Sequence, residues 1–345
     1  MTPTAHHTRC KRSGCKEHAL SRSDACWDHL DNQQEYISSI ISYASGNPDL
    51  RGFCLKKVSL KGASLSGVDL SDADLSQADL SHASLNDAHF QRTLLVGATA
   101  AHADLTNADF SGSDGTKVDF SNARLWHADF TNANLNESDL SDADLWNATF
   151  CRVKFWNANL KGAKFLTRRS FAGATEKNRH FEDARIDESG LISAEESYRN
   201  IKNYFLARGM YNDASWASCK EKAMERFILK KDRRIGYIPS LVMNLLCGYG
   251  ERPSRIVASS LMTIFIYAFL YTSLGSLQSI AFPGERLSFA DSLYCSTITF
   301  TTVGYGDLIP KPFAPFRLLA ASEAFIGAFL VGLFIFTLAR RYSAR

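Results

Sequence analysis

The sequence lacks the features of a secreted, disulfide-stabilised or nucleic-acid-binding protein. No apolar run of roughly 7 to 15 residues lies within residues 1–36, so we recognise no secretory signal and expect the amino terminus in the cytosol. The net charge is only +3 in 345 residues, which is too small to argue for nucleic acid as a partner. Of eight cysteines only three cluster, and in a reducing cytosol such a cluster favours metal binding over disulfides.

The three clustered cysteines precede a histidine. The spacing Cys10-x4-Cys15-x10-Cys26-x2-His29 offers three thiolates and one imidazole, a closed set of four ligands that suits a structural zinc site. His18 is a rival for the fourth ligand. The pattern resembles a small zinc-binding knuckle found at the head of various bacterial proteins, and this resemblance implies Zn²⁺ as a structural cofactor. The alternative is a disordered tail with incidental Cys and His.

A repeat follows. From Leu55 to Phe165 every fifth residue is Leu or Phe at 21 of 23 positions, with Ala100 and Gly115 as the exceptions. A small side chain such as Ala63 lies two residues before each of them. A period of five fits neither an α-helix nor a flat strand, and a fixed period indicates a repeat architecture. The pattern resembles the pentapeptide-repeat family, which implies a right-handed four-sided β-helix in which four five-residue units close one coil.

The length of the repeat predicts the size of the β-helix. Twenty-three units correspond to nearly six coils, or a rod on the order of 27 Å long at the spacing of paired strands. Beyond Phe165 the register slips by one, and Phe171, Phe181 and Ile186 continue the five-residue spacing, which predicts one or two imperfect coils. Some members of the family mimic DNA, but residues 55–165 hold 14 acids and 10 bases, a net of −4, which is weak for that role. An unknown cytosolic protein is the alternative partner of the rod.

Two helical segments connect the repeat to the rest of the chain. A capping-box pattern of Ser193 and Glu196 predicts the start of a helix, and Gly209 predicts its end. We interpret this part as an adaptor on the end of the rod, with a peptide-binding site as the alternative. Residues 235–252 follow a run of Lys and Arg and resemble an amphipathic helix on the inner leaflet of a membrane, with an ordinary core helix as the alternative.

The last quarter of the chain holds two apolar stretches of membrane length. Ile256–Leu274 has 19 residues without a charge, roughly 28 Å as a helix, and Leu318–Ala339 has Glu323 as its only charge. Between them, Ser288 predicts the cap of a short helix from Phe289 to about Thr301. Arginines stand before the first span and after the second, so we expect both ends in the cytosol.

The loop between the spans carries the pattern with the most specific chemistry. A dehydrated cation needs a ring of oxygen dipoles, and glycine makes the required backbone angles with φ > 0 accessible. The loop resembles the selectivity filter of potassium channels, which implies that K⁺ permeates along Thr302, Val303, Gly304, Tyr305 and Gly306. We expect support for the filter from Asp307, Tyr294 and Thr301.

Two positions depart from the potassium channel pattern. Many members carry paired aromatics, usually Trp-Trp, eight and seven residues before the filter threonine, where this chain has Tyr294 and Cys295. Some members have an acid four residues before the filter, where this chain has Ile298. These departures concern filter rigidity and inactivation, whereas the retained Tyr305 favours potassium selectivity.

The second span contains two glycines and one acid. The resemblance implies a gating hinge at Gly327, with Gly332 as a rival, and close helix packing is the alternative for either glycine. Glu323 is an ionisable residue within the span, which makes it a functional candidate. We expect its carboxyl group to hydrogen-bond the back of the short pore helix or, alternatively, to reach the outer interface.

Together these patterns predict a multidomain protein. The predicted divisions are a zinc knuckle (1–36), a pentapeptide-repeat β-helix (37–186), a helical adaptor (187–234), an interfacial helix and turn (235–252) and an all-α two-helix pore domain (253–345). One filter in each chain implies a homotetramer in a lipid bilayer, here the cell membrane, that conducts K⁺ passively and is regulated by the rod. We expect no enzymatic activity. The alternative function is a membrane-tethered binding scaffold with a silent pore.

Overall fold

The computed structural model describes residues 9–171, 191–281, 284 and 287–343. The chain divides into two compact units, Met1–Ile228 and Leu229–Arg345. The first unit is built on a β-helix and the second on long apolar helices. The predicted continuation of the repeat through Phe181 and Ile186 lies outside the described residues.

Each coil of the β-helix takes 20 residues. Parallel bridges join residues 20 apart at every fifth position, from Asp49↔Asp69 to Asp144↔Lys164. Twenty residues in units of five give four sides, so the predicted coil of four units is confirmed. Backbone hydrogen bonds between successive coils pair the polar groups of the main chain.

The apolar ladder faces the axis of the coils and is buried from water. Four phenylalanines one coil apart stack with ring centroids separated by 4.7, 4.8 and 5.0 Å: Phe90, Phe110, Phe130 and Phe150. Burying one Leu or Phe side chain contributes about 1.5–3 kcal/mol, so the ladder stabilises the rod along its length. Where Thr93 and Ser138 take the small slots, their hydroxyls donate to the Leu70 and Leu135 carbonyls at 2.7 and 2.8 Å.

The corners of the coils place one residue of most units in the left-handed region. Lys57, Asp72 and Gln77, for example, have φ of 64°, 61° and 60°. This backbone conformation suits Gly, Asn and Asp better than other residues. The corner requirement therefore accounts for the Gly, Asn and Asp residues at the corner positions, such as Gly62, Asp87 and Asn107, which the five-residue period alone did not predict.

Helix α1, Gln33–Gly46, lies at the amino-terminal end of the β-helix. The Asn32 side chain caps it by accepting the Glu35 N–H at 3.1 Å. Ile40 is fully buried in the same apolar core as the first coils. The boundary predicted after residue 36 falls within α1, and the bridged coils begin at Asp49.

Helices α2, Leu191–Ala207, and α3, Tyr211–Lys231, follow the coils. Tyr198 and Phe205 of α2 and Trp216 of α3 are buried in the same core as the last coils. These aromatic side chains cover the apolar residues that the final coil would otherwise leave uncovered at its open end.

Two local predictions at this end are wrong. The ladder predicts that Phe165 points inward, but Phe165 is 56% exposed and Leu166 is fully buried, because the register slips one residue earlier. Helix α2 also begins two residues before the predicted cap, Ser193. Glu196 does not close a capping box there, since it accepts a hydrogen bond from the Trp156 indole N–H.

The second unit consists of helices and a short sheet. Its elements are α4 (Tyr237–Cys247), α5 (Pro253–Leu274), β1 (Leu277–Ser279), α6 (Phe289–Phe300), β2 (Leu308–Pro310) and α7 (Ala314–Ser343), with β1 and β2 antiparallel. By length and composition, α5 and the Ala314–Ala339 part of α7 can each span a membrane. Helices α5, α6 and α7 all pack against one another.

Candidate functional site

Helix α6 is a short helix with a defined start and end. Ser288 and Asp291 form a capping box, each side chain accepting the backbone N–H of the other, which confirms the predicted cap. At the other end the Thr301 N–H donates to the Thr297 carbonyl at 3.1 Å. The negative end of the helix dipole therefore lies at the residues that follow, which favours a cation near them.

The loop after α6 turns on left-handed residues. Gly304 and Gly306 have φ of 51° and 80°, as the filter pattern predicts. Thr302 also has a positive φ of 58°, which is rare and strained for a β-branched residue. The loop is tied to α6 because the Val303 and Gly304 N–H groups donate to the Ile298 carbonyl at 2.9 and 3.3 Å.

The two short strands hold the far side of the loop. The Ile280 N–H donates to the Asp307 carbonyl at 3.1 Å, directly after the loop, and the strand pairing follows. The Asp307 carboxylate also lies near the Tyr294 side chain on α6. The structure thus brings together Tyr294 and Asp307, two of the residues that the sequence predicts as support for the filter.

Much of this region is uncovered within one chain. Val303 is 53% exposed and Tyr305 is 73% exposed. On α7, Leu318 and Phe325 are 70% and 76% exposed. Apolar surface of this extent marks a surface that contacts lipid or another protein chain.

Helix α7 turns one face toward α5 and α6. Its buried positions are spaced as one helical face: Glu323, Gly327, Leu330 and Thr337. The fully buried Glu323 carboxyl group is hydrogen-bonded to the Ser296 hydroxyl of α6 and, at 2.5 Å, accepts a hydrogen bond from the Tyr271 hydroxyl of α5. The expected contact of Glu323 with the back of the pore helix is confirmed, and the alternative of an outer-interface carboxylate is wrong.

The two candidate hinge glycines differ in their surroundings. A Cβ atom added at Gly327 would overlap the carbonyl group of Phe300, the last residue of α6. At Gly332, a Cβ atom would meet no atom of the described chain within 4 Å. Close packing against α6 therefore accounts for Gly327, and a hinge at either glycine stays a prediction.

The amino-terminal cysteines and histidine come together as one group. The ligand atoms of Cys10, Cys15, Cys26 and His29 all lie within 4.8 Å of one another. Cys15 Sγ is 3.7 Å from Cys26 Sγ, and Cys10 Sγ is 3.5 Å from His29 Nδ1. Ligand atoms around a tetrahedral Zn²⁺ lie roughly 3.5 to 3.8 Å apart, so the residues present fit this ion.

Two of these thiols differ in acidity. Backbone N–H groups of Cys26 and Arg12 lower the pKa of the Cys10 thiol to about 6. Burial, together with hydrogen bonds from neighbouring thiols, raises the pKa of Cys26 to about 11. Metal ligation needs the thiolate form, so binding of a metal to this group would release thiol protons to the solvent.

The cysteine segment is attached to the first coil of the β-helix. Lys56 forms an ion pair with Glu17 at 2.7 Å, and Lys57 forms one with Asp28 at 2.5 Å. The Ser21 hydroxyl also accepts the Cys54 N–H at 2.8 Å. A metal ion in this group would therefore stabilise the amino-terminal end of the β-helix.

Sequence reasoning missed several residues of the pore region. Ser296 and Tyr271, which hold Glu323, were not predicted, although a polar Ser in an apolar helix is itself a signal. The pairing of β1 with β2 was also missed, because each strand has only three residues and no alternating pattern. The left-handed backbone conformation of Thr302 could not be predicted either, because threonine rarely adopts it.

Comparison with known families divides the chain in the same way as the structure. Residues 248–344 match a family model described as an ion channel. Residues 83–165 match a pentapeptide repeat region, and residues 53–92 match pentapeptide repeats in eight copies.

Two curated plant proteins match part of the chain. The rice (Oryza sativa subsp. japonica) "Two pore potassium channel b" is 41% identical over 88 residues, 25% of this chain and 24% of that protein. The Arabidopsis thaliana "Two-pore potassium channel 1" is 38% identical over 90 residues, 23% of this chain and 24% of that protein. The match thus spans about a quarter of the length of these relatives.

Solved structures also match part of the chain. A pentapeptide repeat protein, Rfr23, from the cyanobacterium Cyanothece 51142 is 19% identical, with 37% of this chain and 93% of that chain covered and a TM-score of 0.25. A pentapeptide repeat protein from the Arabidopsis thaliana thylakoid lumen is 34% identical, with 30% of this chain and 66% of that chain covered and a TM-score of 0.20. The β-helix assignment rests on the bridges of this chain and not on these scores.

Proposed function

We propose that this chain, which joins a pentapeptide-repeat region to an ion channel domain, forms a potassium-selective channel as a homotetramer. The observation that carries the proposal is the loop 302–306, which follows the dipole end of α6 and turns on Gly304 and Gly306. It lies in sequence between two helices of membrane length. The matched relatives are named as potassium channels, which adds to the proposal.

Conduction in this proposal is passive and uses the backbone. Carbonyl oxygens of the loop and the Thr302 hydroxyl replace the hydration shell of K⁺, and the dipole of α6 favours the cation on its way. One chain contributes one loop, so four chains are needed to surround the ion. Exposed Val303 and Tyr305 side chains would be covered by the neighbouring copies.

The flanking segments support an orientation in the cell membrane. Arg252 and Arg255 stand at the start of α5, Arg340 and Arg341 lie near the end of α7, and Arg345 follows it in the sequence, which favours both ends in the cytosol. Helix α4 exposes Ile238 and Leu245, 64% and 72%, as an apolar helix lying on a membrane surface would. A cytosolic β-helix, stabilised at its end by structural Zn²⁺, would then regulate the pore.

The test is ion flux through purified protein in liposomes. We expect K⁺ and Rb⁺ to pass readily and Na⁺ poorly, with Gly304→Ala abolishing this selectivity because its φ of 51° is unfavourable for alanine. Comparable Na⁺ and K⁺ permeability of the unaltered protein would contradict selectivity. Absence of any K⁺ flux would instead favour the scaffold with a silent pore.

A further inference from the structure

Glu323 is buried, and among the residues that the structure describes no cationic side chain pairs with it. The side chain has no exposed surface, and its hydrogen-bond partners are the hydroxyl groups of Tyr271 on α5 and Ser296 on α6. Both partners are neutral at neutral pH. Burying a charge without a paired counter-charge is strongly unfavourable, so the surroundings select the neutral form of this group.

The hydrogen atoms of the network lead to the same conclusion. The Ser296 hydroxyl contacts two oxygen atoms, the Ile264 carbonyl at 2.9 Å and Glu323 Oε1. A serine hydroxyl carries one proton and can donate to only one of them. If Glu323 carries a proton on Oε1 and donates it to Ser296, then Ser296 donates to Ile264 and Tyr271 donates to Oε2. All three contacts are satisfied only when the carboxyl group is protonated.

We propose that Glu323 is held as a neutral carboxylic acid and that this network positions the pore helix, and with it the filter, between α5 and α7. The proposal rests on the proposed channel function and deepens it. Glu323 acts as a positioning residue, since it contacts α6 and not the ion. One helical turn further on α7, Gly327 packs on the carboxyl end of α6, so one face of α7 holds that helix in two places.

Within the described part of the chain, the other titratable groups near Glu323 do not provide a counter-charge. On α5, the Tyr267 hydroxyl pairs with the Ser322 hydroxyl at 2.8 Å. Cys295 of α6 is buried and is a thiol at neutral pH. Asp307, beyond the filter, lies near Tyr294. These groups are neutral or acidic, so none of them favours ionisation of Glu323.

The experiment compares four variants of the full chain in liposomes. Glu323→Gln can donate to Ser296 and accept from Tyr271 as the protonated acid does, so we expect it to retain selectivity. Glu323→Ala and Ser296→Ala break the network and should lower the K⁺/Na⁺ permeability ratio by roughly tenfold to a hundredfold, because filter geometry is sensitive to small displacements. Ser322→Ala, beside Glu323 but outside the network, is the matched control and should match the unaltered protein.

Infrared spectroscopy of the full chain gives a readout that does not depend on conduction. At neutral pH the spectrum should contain the C=O stretch of a protonated carboxylic acid, and Glu323→Gln should remove it. Lack of this band, loss of selectivity in Glu323→Gln equal to that in Glu323→Ala, or normal selectivity in Glu323→Ala would each overturn the proposal. Absence of K⁺ flux in the unaltered protein would overturn the channel function alone, because the infrared band would still report the protonated acid.

Discussion

The β-helix and the second unit, Leu229–Arg345, place their apolar residues in opposite ways. The second unit is called the pore unit below. In the β-helix, Leu and Phe residues of one chain bury one another along the axis of the coils. In the pore unit, large apolar side chains such as Phe325 and Leu318 remain mostly exposed. In each helix that is long enough to span a membrane, only 17% of the most apolar 18-residue stretch is buried. The first unit therefore completes its core within one chain, whereas the second does not.

This difference indicates where each unit obtains its stability. A repeat whose coils contact only their neighbours needs no partner for its interior. The exposed apolar surfaces of α5, α7 and the loop 302–306 mark contact sites for lipid or for another protein chain. Changes inside the rod should thus act on the folding of one chain, while changes in the pore unit should act on assembly and conduction.

The largest expected effect is a charge inside the rod. Leu140 is fully buried, and Leu140→Lys would place an ammonium group among apolar side chains without a partner, at a cost of several kcal/mol. Leu94 is 45% exposed on an outer face, so Leu94→Lys is the matched control and should change little. Thermal unfolding followed by circular dichroism measures both. Equal melting temperatures for the two variants would contradict a closed apolar interior.

Removal of the metal should have a smaller effect that is also confined to the rod. A strong chelator, or Cys26→Ser, should release one Zn²⁺ per chain and loosen the segment held by Lys56 and Lys57. The melting temperature should fall by about 2 to 4 °C for each kcal/mol lost in a unit of this size. Cys151→Ser, outside the group, should keep both metal and stability. Stoichiometric zinc in Cys26→Ser would refute the assignment of ligands.

A change in the packing of α7 should affect the pore and leave the rod intact. Gly327→Ala forces a methyl group against the Phe300 carbonyl at the end of α6, a strain of roughly 1–3 kcal/mol, and should lower both the open probability and the K⁺/Na⁺ permeability ratio. Gly332→Ala meets no described atom and serves as the control. Single-channel recordings distinguish two origins of the effect. If Gly327→Ala and Gly332→Ala lower the open probability equally, helix bending rather than close packing would explain why glycine occupies these two positions.

The same contrast explains what could be predicted from the sequence. The ladder of the rod is local and periodic, so its period of five followed from the spacing, while the coil length and the inward residues followed from the resemblance to pentapeptide repeats. The prediction that Phe165 points inward was wrong, because the repeat ends there and no following coil holds the register. In the pore unit, the cap at Ser288 followed from residue type, and the candidate filter residues were proposed from a motif. The contact of Glu323 with Ser296 and Tyr271 joins three helices, and no local pattern specifies which polar groups meet.

The smallest expected effect on assembly and ion selectivity is that of removing the whole first unit. Deleting residues 1–186 leaves Tyr198, Phe205 and Trp216 without the coils that they pack against, and the exposed aromatic residues would favour aggregation. A deletion that ends at Ile228 removes the unit completely. Because the filter, α6 and its supporting residues all lie in the second unit, we expect tetramers and the K⁺/Na⁺ permeability ratio to be unchanged.

Open probability is the quantity that this deletion should change. If the rod regulates the pore, its removal abolishes a coupling free energy, which for regulated proteins is typically about 1–3 kcal/mol, or about 5- to 150-fold in the open–closed equilibrium. Single-channel recordings of the chain beginning after Ile228 measure this directly, with cross-linking to count subunits. An unchanged open probability would make the rod a docking module. Loss of tetramers would instead show that the exposed surfaces of the pore unit do not suffice for assembly, which would contradict the division drawn between the two units.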